Sequence, residues 1–269
     1  TISFSMNAQT DNTSTGTSAL NSISTGDNNS AFGVNALTAN SSGGANTAIG
    51  KEALYSNTTS SSSTAVGNYS LKNSNGFYNT AVGTYSLYEN TSGARNVGIG
   101  LNSLFTNTTG SYNTAIGYET YASANNASNQ TIIGYQATGQ ADNSVVLGND
   151  AVTAIYMAED SGATIYAGNA TFGGDVTISS DIRLKSNIVS LGSTLSKLLL
   201  IDGKSYIMNS DGKDKIGVLA QEVQEVFPEL VGEDTEGMLT VNYQGLVPVL
   251  INALKEQEDK ISRLENLVE

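Results

Sequence analysis

The sequence predicts a mainly β first part, built as a parallel solenoid with coils of about 17 residues, followed by an α+β region that ends in a coiled-coil helix. Three observations carry this expectation. A short glycine-ended unit recurs in register between residues 29 and 150. Charge is sparse before residue 180 and dense after it, and the C-terminal residues carry a heptad seam.

The repeat reads "SAFG" ending at Gly33, "TAIG" at Gly50, "TAVG" at Gly67 and Gly83, "VGIG" at Gly100, "TAIG" at Gly117, "TIIG" at Gly134 and "VVLG" at Gly148. The intervals are 17, 17, 16, 17, 17, 17 and 14 residues. Four residues after most of these glycines comes an apolar side chain: Leu37, Leu54, Leu71, Leu87, Leu104 or Tyr121. Four before stands Asn29, Asn46, Asn79, Asn96 or Asn113. Such a period is too short for a helix pair or a propeller blade, so each unit forms one coil with two short strands and Asn/Ser/Gly turns. Seven or eight coils stacked at about 4.8 Å rise roughly 35–40 Å. Strand alternation puts Thr and Ile of "TAIG" on one face and Ala and Gly on the other. Taking the small face as the outer one gives a smooth surface suited to packing against another copy.

Composition narrows the chemistry. The 269 residues carry a net charge of −13, with no basic cluster, which opposes binding to phosphate backbones and excludes nucleic acid as a partner. Only 3 of the 12 basic residues (Lys51, Lys72, Arg95) and 10 of the 25 acidic ones precede Ser180. No apolar run reaches the roughly 18 residues of a membrane span, so no membrane insertion is expected. The chain opens at Thr1 without a basic, apolar leader, as a mature chain or a fragment does. Zero cysteine and zero histidine remove disulfides, thiolate zinc sites and every triad built on histidine. No metal or cofactor is expected, and any catalysis rests on hydroxyls, carboxylates and lysines. The Asn-x-Ser/Thr sequons at Asn57, Asn68, Asn90 and Asn107 read as turn chemistry rather than glycosylation sites.

The organisation follows as a lead-in over 1–28, repeats over 29–150, a β connector over 151–179 and a second domain over 180–269. The connector holds short β-prone runs, "AIYMAED", "ATIYAG" and "GGDVTIS". Beyond it, Asp181 or Ser180 caps a short helix through Leu184. "KIGVLAQEVQEVFPELV" starts as a strand and continues as an amphipathic helix that stops before Pro228. "MLTVNY" alternates as a strand does, and the chain is helical from Val247 onward. There Leu250, Leu254, Gln257, Ile261, Leu264 and Val268 fall at alternating spacings of 4 and 3, the seam of a self-associating coiled coil. "NSDGKDK", Asn209 to Lys215, lacks the acidic residue that closes a calcium loop and reads as a surface β-turn.

At the boundary, "TISSDIRLKSNI" sets Ser180 five residues before Lys185. A serine hydroxyl needs a base, and without histidine that base is a lysine whose pKa burial has lowered. Five residues of α-helix rotate about 140° past a full turn. The two side chains therefore meet only if the backbone bends between them, or if Lys185 reaches the serine of another chain. Read from the pair alone, the two are equally an N-cap serine and a solvated lysine.

The wider residues carry resemblances. The "NTAIG" and "NSVVLG" units resemble the left-handed parallel β-roll of trimeric autotransporter adhesin heads, which also occurs in phage tail fibres. "SDIRLKSNI", "GVLAQEVQEVFPELV", "LTVNYQGLVPVLINALKE" and the terminal coiled coil resemble, in that order, the C-terminal intramolecular chaperone of phage tailspikes and tail fibres, as in endosialidases. That resemblance implies a homotrimer whose chaperone guides folding of a β-rich shaft built on pairing across chains, and then cuts itself off as an autoproteolytic serine endopeptidase. It assigns the nucleophile to Ser180, the base to Lys185 and the scissile bond to Ser179–Ser180, with Asp181 and Arg183 shaping the cleavage turn. It further implies a tail-fibre or tailspike tip in the virion, with a host surface glycan or receptor as partner. A bacterial trimeric surface adhesin and the C-terminal part of a glycan depolymerase are the alternatives.

Overall fold

The computed structural model describes residues 11–157, 170–172, 175–210, 212–234 and 236–268. The chain divides into two compact units, Thr1–Tyr166 and Ala167–Glu269.

In the first unit nine short strands form one parallel sheet in chain order: β1 (Thr13–Thr15), β2 (Ser30–Phe32), β3 (Thr47–Ile49), β4 (Thr64–Val66), β5 (Thr80–Val82), β6 (Val97–Ile99), β7 (Thr114–Ile116), β8 (Gln130–Ile133) and β9 (Ser144–Leu147). Each residue pairs with its equivalent one coil on, as Ala48 does with Ala65. This is a parallel solenoid. Its ladder begins within the segment read as a lead-in, because "TSTG" ending at Gly16 is a further coil unit, with Asn12 four residues before the glycine and the buried Leu20 four after it.

Two details differ from the sequence reading. Each coil holds one three- or four-residue strand rather than two. The opposite side of the coil consists of turns, with left-handed backbone at positions such as Asn35, Leu37 and Ala45. Its amides still bond from coil to coil, as in Leu37 N–H to Ala53 O (2.9 Å) and Ser41 N–H to Thr58 O (2.9 Å). Backbone satisfaction, which is obligatory in a buried stack, is thus achieved without β dihedrals.

The strand faces are also reversed. Ala31, Ala48, Ala65, Ala81 and Ala115 are fully buried, whereas Ile49, Val82, Ile99, Ile116 and Ile133 are 37–42% exposed. Opposite a buried leucine the interior admits only a small residue, whereas Ile132, fully buried at the same register, stands in the coil where Thr138 replaces that leucine. A Cβ added at Gly98, the glycine standing at the alanine position of its coil, meets Ser86 Oγ at 2.6 Å and Leu87 Cγ at 3.3 Å. What fills the interior opposite the alanines is the leucine ladder, Leu37, Leu54, Leu71, Leu87 and Leu104, all fully buried. Each of these leucines has left-handed backbone, with φ between 49 and 53°. That conformation costs about 1–2 kcal/mol for an L-residue. Full burial of a leucine contributes about 1.5–3 kcal/mol, so burial wins. The glycines that end each unit meet a stricter demand: Gly50 has φ +132°, and a Cβ there would lie 2.5 Å from the Gly67 carbonyl oxygen.

Buried asparagines tie successive coils. Asn96 N–H donates to Asn79 Oδ1 (2.9 Å), Asn96 Nδ2 donates to Gly110 O (2.8 Å), and Asn96 Oδ1 accepts from Asn113 N–H (3.0 Å). A second ladder runs through Asn40, Asn57, Asn90 and Asn107, with Asn57 Nδ2 donating to Asn40 Oδ1 at 3.1 Å. Three sequon asparagines, Asn57, Asn90 and Asn107, are therefore interior residues, while Asn68 is exposed.

Of the connector, residues 154–157 and 175–179 contain no strand, and the "ATIYAG" run lies outside the described residues. The second unit holds helix α1 (Leu195–Leu198), the hairpin β10 (Lys204–Ile207) and β11 (Asp214–Gly217), helix α2 (Ala220–Val226), the hairpin β12 (Val231–Glu233) and β13 (Leu239–Val241), and helix α3 (Leu246–Glu265). "NSDGKDK" is the turn of the first hairpin, closed by Gly212 N–H to Met208 O at 2.8 Å. The small core gathers Val223 and Phe227 of the α2 region and Val249 of α3, flanked by Leu198, Ile201 and Val241. Glu256 of α3 fastens α1 by accepting from the Ser193 hydroxyl and from the backbone N–H groups of Thr194 and Leu195. These bonds, led by that from Ser193, hold the Glu256 carboxyl below its ordinary value.

Two outcomes follow. Asn96→Ala removes two buried bonds, leaving Asn113 N–H without its acceptor and Gly110 O with Asn107 Nδ2 as its remaining side-chain donor, and an unmade buried bond costs about 1–3 kcal/mol. Urea denaturation should show a loss in that range or above it, against roughly 0.5 kcal/mol or less for Asn68→Ala on the surface. Because the folded-state pKa of Glu256 is depressed, its contribution is present above the carboxylate's ordinary value of 4.5 and fades as pH falls through the folded value. Thermal melts of the second unit should lose stability over that acid range, and Glu256→Gln should flatten the loss while lowering stability at pH 7.

Candidate active site

At the start of the second unit Asp181 turns the chain. Its backbone is extended (φ −62°, ψ 140°) and its side chain accepts from Arg183 N–H at 2.8 Å, which caps a single 3-10 turn over Ile182–Leu184. The Arg183 guanidinium folds back on the same carboxylate, with Nε to Oδ1 at 3.0 Å and Nη2 to Oδ2 at 2.7 Å. This two-pronged bond sets the rotamers of both residues. It also holds the Asp181 carboxyl below the usual carboxylate range. Backbone bonds from Leu184 N–H to Asp181 O and from Lys185 N–H to Ile182 O, each 3.1 Å, complete the turn.

The turn resolves the geometric question that the sequence leaves open. A continuous α-helix would carry Lys185 away from Ser180, but here one tight turn lies between two extended residues, Asp181 and Lys185 (φ −127°, ψ 145°). Lys185 consequently points back along the chain, and its Nζ donates to Ser180 Oγ at 2.6 Å. Both partners belong to one chain. Ser179, Ser180 and Lys185 are all exposed, and so are Ile182 and Leu184, at 71% and 70%.

The clasp between Asp181 and Arg183 is the part of the site with the least sequence signal. An acidic and a basic residue two apart are common, and only the capped turn makes them face each other. Among the described residues no group of three or more His, Cys, Asp or Glu side chains is arranged to hold a metal ion, and no helix is long and apolar enough to cross a membrane.

Set beside known proteins, residues 180–232 match a family model that is named as a peptidase and described as the chaperone of endosialidase. The match begins at Ser180 and runs through the capped turn, α1, the first hairpin and α2 to β12. It implies a C-terminal chaperone role of the phage-tail type with autoproteolytic activity, here placed after a parallel β-solenoid. No curated protein matches the chain.

Proposed function

We propose that this chain is part of a homotrimeric tail fibre or tailspike tip that attaches the virion to a host surface. Its region from Ser180 onward brings three chains together, guides their folding and then severs itself between Ser179 and Ser180. The observation that carries the reading is the 2.6 Å contact from Lys185 Nζ to Ser180 Oγ, formed at the first residue of the family match.

In the proposed reaction, neutral Lys185 takes the Ser180 hydroxyl proton and Oγ attacks the carbonyl carbon of Ser179. An ester forms to Oγ as the C–N bond breaks, and the lysine returns its proton to the freed nitrogen. Water then cleaves the ester, leaving a carboxylate on Ser179 and an amino terminus on Ser180. Asp181 and Arg183 act as positioning residues that hold the turn. A lysine in water has a pKa near 10.4 and is almost wholly protonated at neutral pH, so the base must be stripped of solvent. In a single chain the pair is exposed. Assembly is the step that buries it, and this makes cleavage follow trimerisation.

Self-association has support in both units. The strand face of the solenoid carries one large apolar residue per coil in register, Phe32, Ile49, Val82, Ile99, Ile116 and Ile133, each 37–42% exposed. The strands themselves hold no charged residue. On α3, Leu250, Leu254, Ile261 and Leu264 are likewise exposed, at 43–65%. Stripes of this extent mark interaction surfaces. Every strand pair of the ladder joins one coil to the next within a chain, so a chaperone is needed to align three chains rather than to form the coils. Its removal would leave the fibre held by a kinetic barrier.

The decisive experiment is intact mass of freshly expressed protein. Two fragments dividing at Ser179 and Ser180 are expected from the wild type, and one full-length species from Ser180→Ala and Lys185→Ala. An uncut wild type would overturn the reading. Asp181→Ala and Arg183→Ala should slow the appearance of fragments by about tenfold to a hundredfold, since misplacement by about 1 Å costs on that order. Light scattering should give a trimer for the wild type and for Thr106→Glu, which changes an exposed turn residue, but smaller species for Ile99→Glu.

A further inference from the structure

The three basic side chains of the solenoid, Lys51, Lys72 and Arg95, all lie over aromatic rings. The two lysines also pair with Glu52, at 4.0 and 2.9 Å. Arg95 is different. Its guanidinium carbon sits 5.3 Å from the ring centroids of both Tyr78 and Tyr112, one coil to either side, and Nη1 donates to the Tyr112 hydroxyl at 3.2 Å. Among the described residues it has no carboxylate within ion-pair distance. Phe77 leans on Tyr78 with 6.4 Å between centroids, and the three rings are 43–56% exposed.

Tyr78, Arg95 and Tyr112 occupy the same register position in three successive coils, where the backbone is left-handed with φ of 61, 58 and 63°. Other coils place Asp11, Asn28, Ala45, Ser62, Asn129 and Asn143 there, with φ between 55 and 72°. The position thus tolerates many side chains, and in these three coils it sets a guanidinium between two rings at the surface.

The chemistry defines the ligand. Two rings flank the guanidinium and fix its orientation, and its remaining N–H donors form a planar fork that suits a carboxylate. The flanking rings, each apolar in body and polar at the hydroxyl, suit a flat molecule that is partly apolar and richly hydroxylated. A chain of net charge −13 repels a dense polyanion, so the carboxylates must be isolated in an otherwise neutral molecule. We infer that Phe77, Tyr78, Arg95 and Tyr112 form a binding site for a saccharide bearing isolated carboxylates. This inference rests on the attachment role proposed above and names the chemistry that would serve it.

The test is binding of the full chain to an immobilised panel of carboxylate-bearing oligosaccharides, their neutral counterparts and a polyglutamate peptide. The wild type should bind carboxylated members over the matched neutral ones, and Arg95→Gln should weaken that binding tenfold or more while leaving self-cleavage unchanged. Arg95→Lys keeps the charge but loses the fork, and should bind several-fold less well than the wild type. It carries the comparison if circular dichroism shows Arg95→Gln unfolded. Binding confined to neutral members, or carboxylate binding indifferent to both variants, removes this site and leaves attachment standing. Equal binding to polyglutamate assigns the clamp to acidic protein and overturns the saccharide. A wild type that binds no saccharide removes both the site and the attachment role.

Discussion

The width of one coil is the constraint on which the first unit depends. Between the strand and the turns opposite it several coils hold a methyl group facing a leucine, and one holds Ile132 in a coil without that leucine. A Cβ at Gly98 already crowds Ser86 and Leu87. Large strand residues are therefore driven outward, and the protein acquires an exposed apolar stripe as a by-product of its thin core. Buried asparagines such as Asn46, Asn79, Asn96 and Asn113 bond to the coils next to them, which fixes the register from one coil to the next.

This arrangement distributes stability along an axis, since each coil answers mainly to its two neighbours. It also explains why unfavourable backbone is tolerated at the leucine positions. The turns that replace a second strand need left-handed residues, and the energy of burying a leucine exceeds the cost of bending it there. Where a left-handed residue lies at the surface, the coils use side chains as different as Asn28, Ala45, Ser62, Tyr78 and Arg95.

In the second unit a local bond carries comparable weight. One carboxylate, Asp181, caps a 3-10 turn and receives the guanidinium of Arg183, and so reverses the chain within a few residues. That reversal brings a hydroxyl and an amine five residues apart into contact. The contact is made in solvent, whereas a lysine that serves as a base needs a dry environment. In the function proposed above, association is the step that would supply it.

The repeat, its period and the change of character at residue 180 were legible from the sequence, because a 17-residue recurrence of glycine, asparagine and leucine has few physical solutions. Ser180 and Lys185 are candidates through the resemblance of the wider segment, since a serine five residues before a lysine carries almost no signal in a serine-rich chain. The starting coil was not read as one, because its strand, Thr13–Thr15, holds no apolar residue, although Asn12, Gly16 and Leu20 stand at the repeat positions. Nor was the direction in which the strands face: alternation separates Ala from Ile but does not say which side is inside. Only tertiary packing decided that, by setting a leucine ladder against the alanines, with the larger Ile132 admitted only where the coil lacks its leucine. The Asp181 cap bends the backbone so that Lys185 turns back to Ser180, because a spacing of five fixes no direction until the backbone between them has bent.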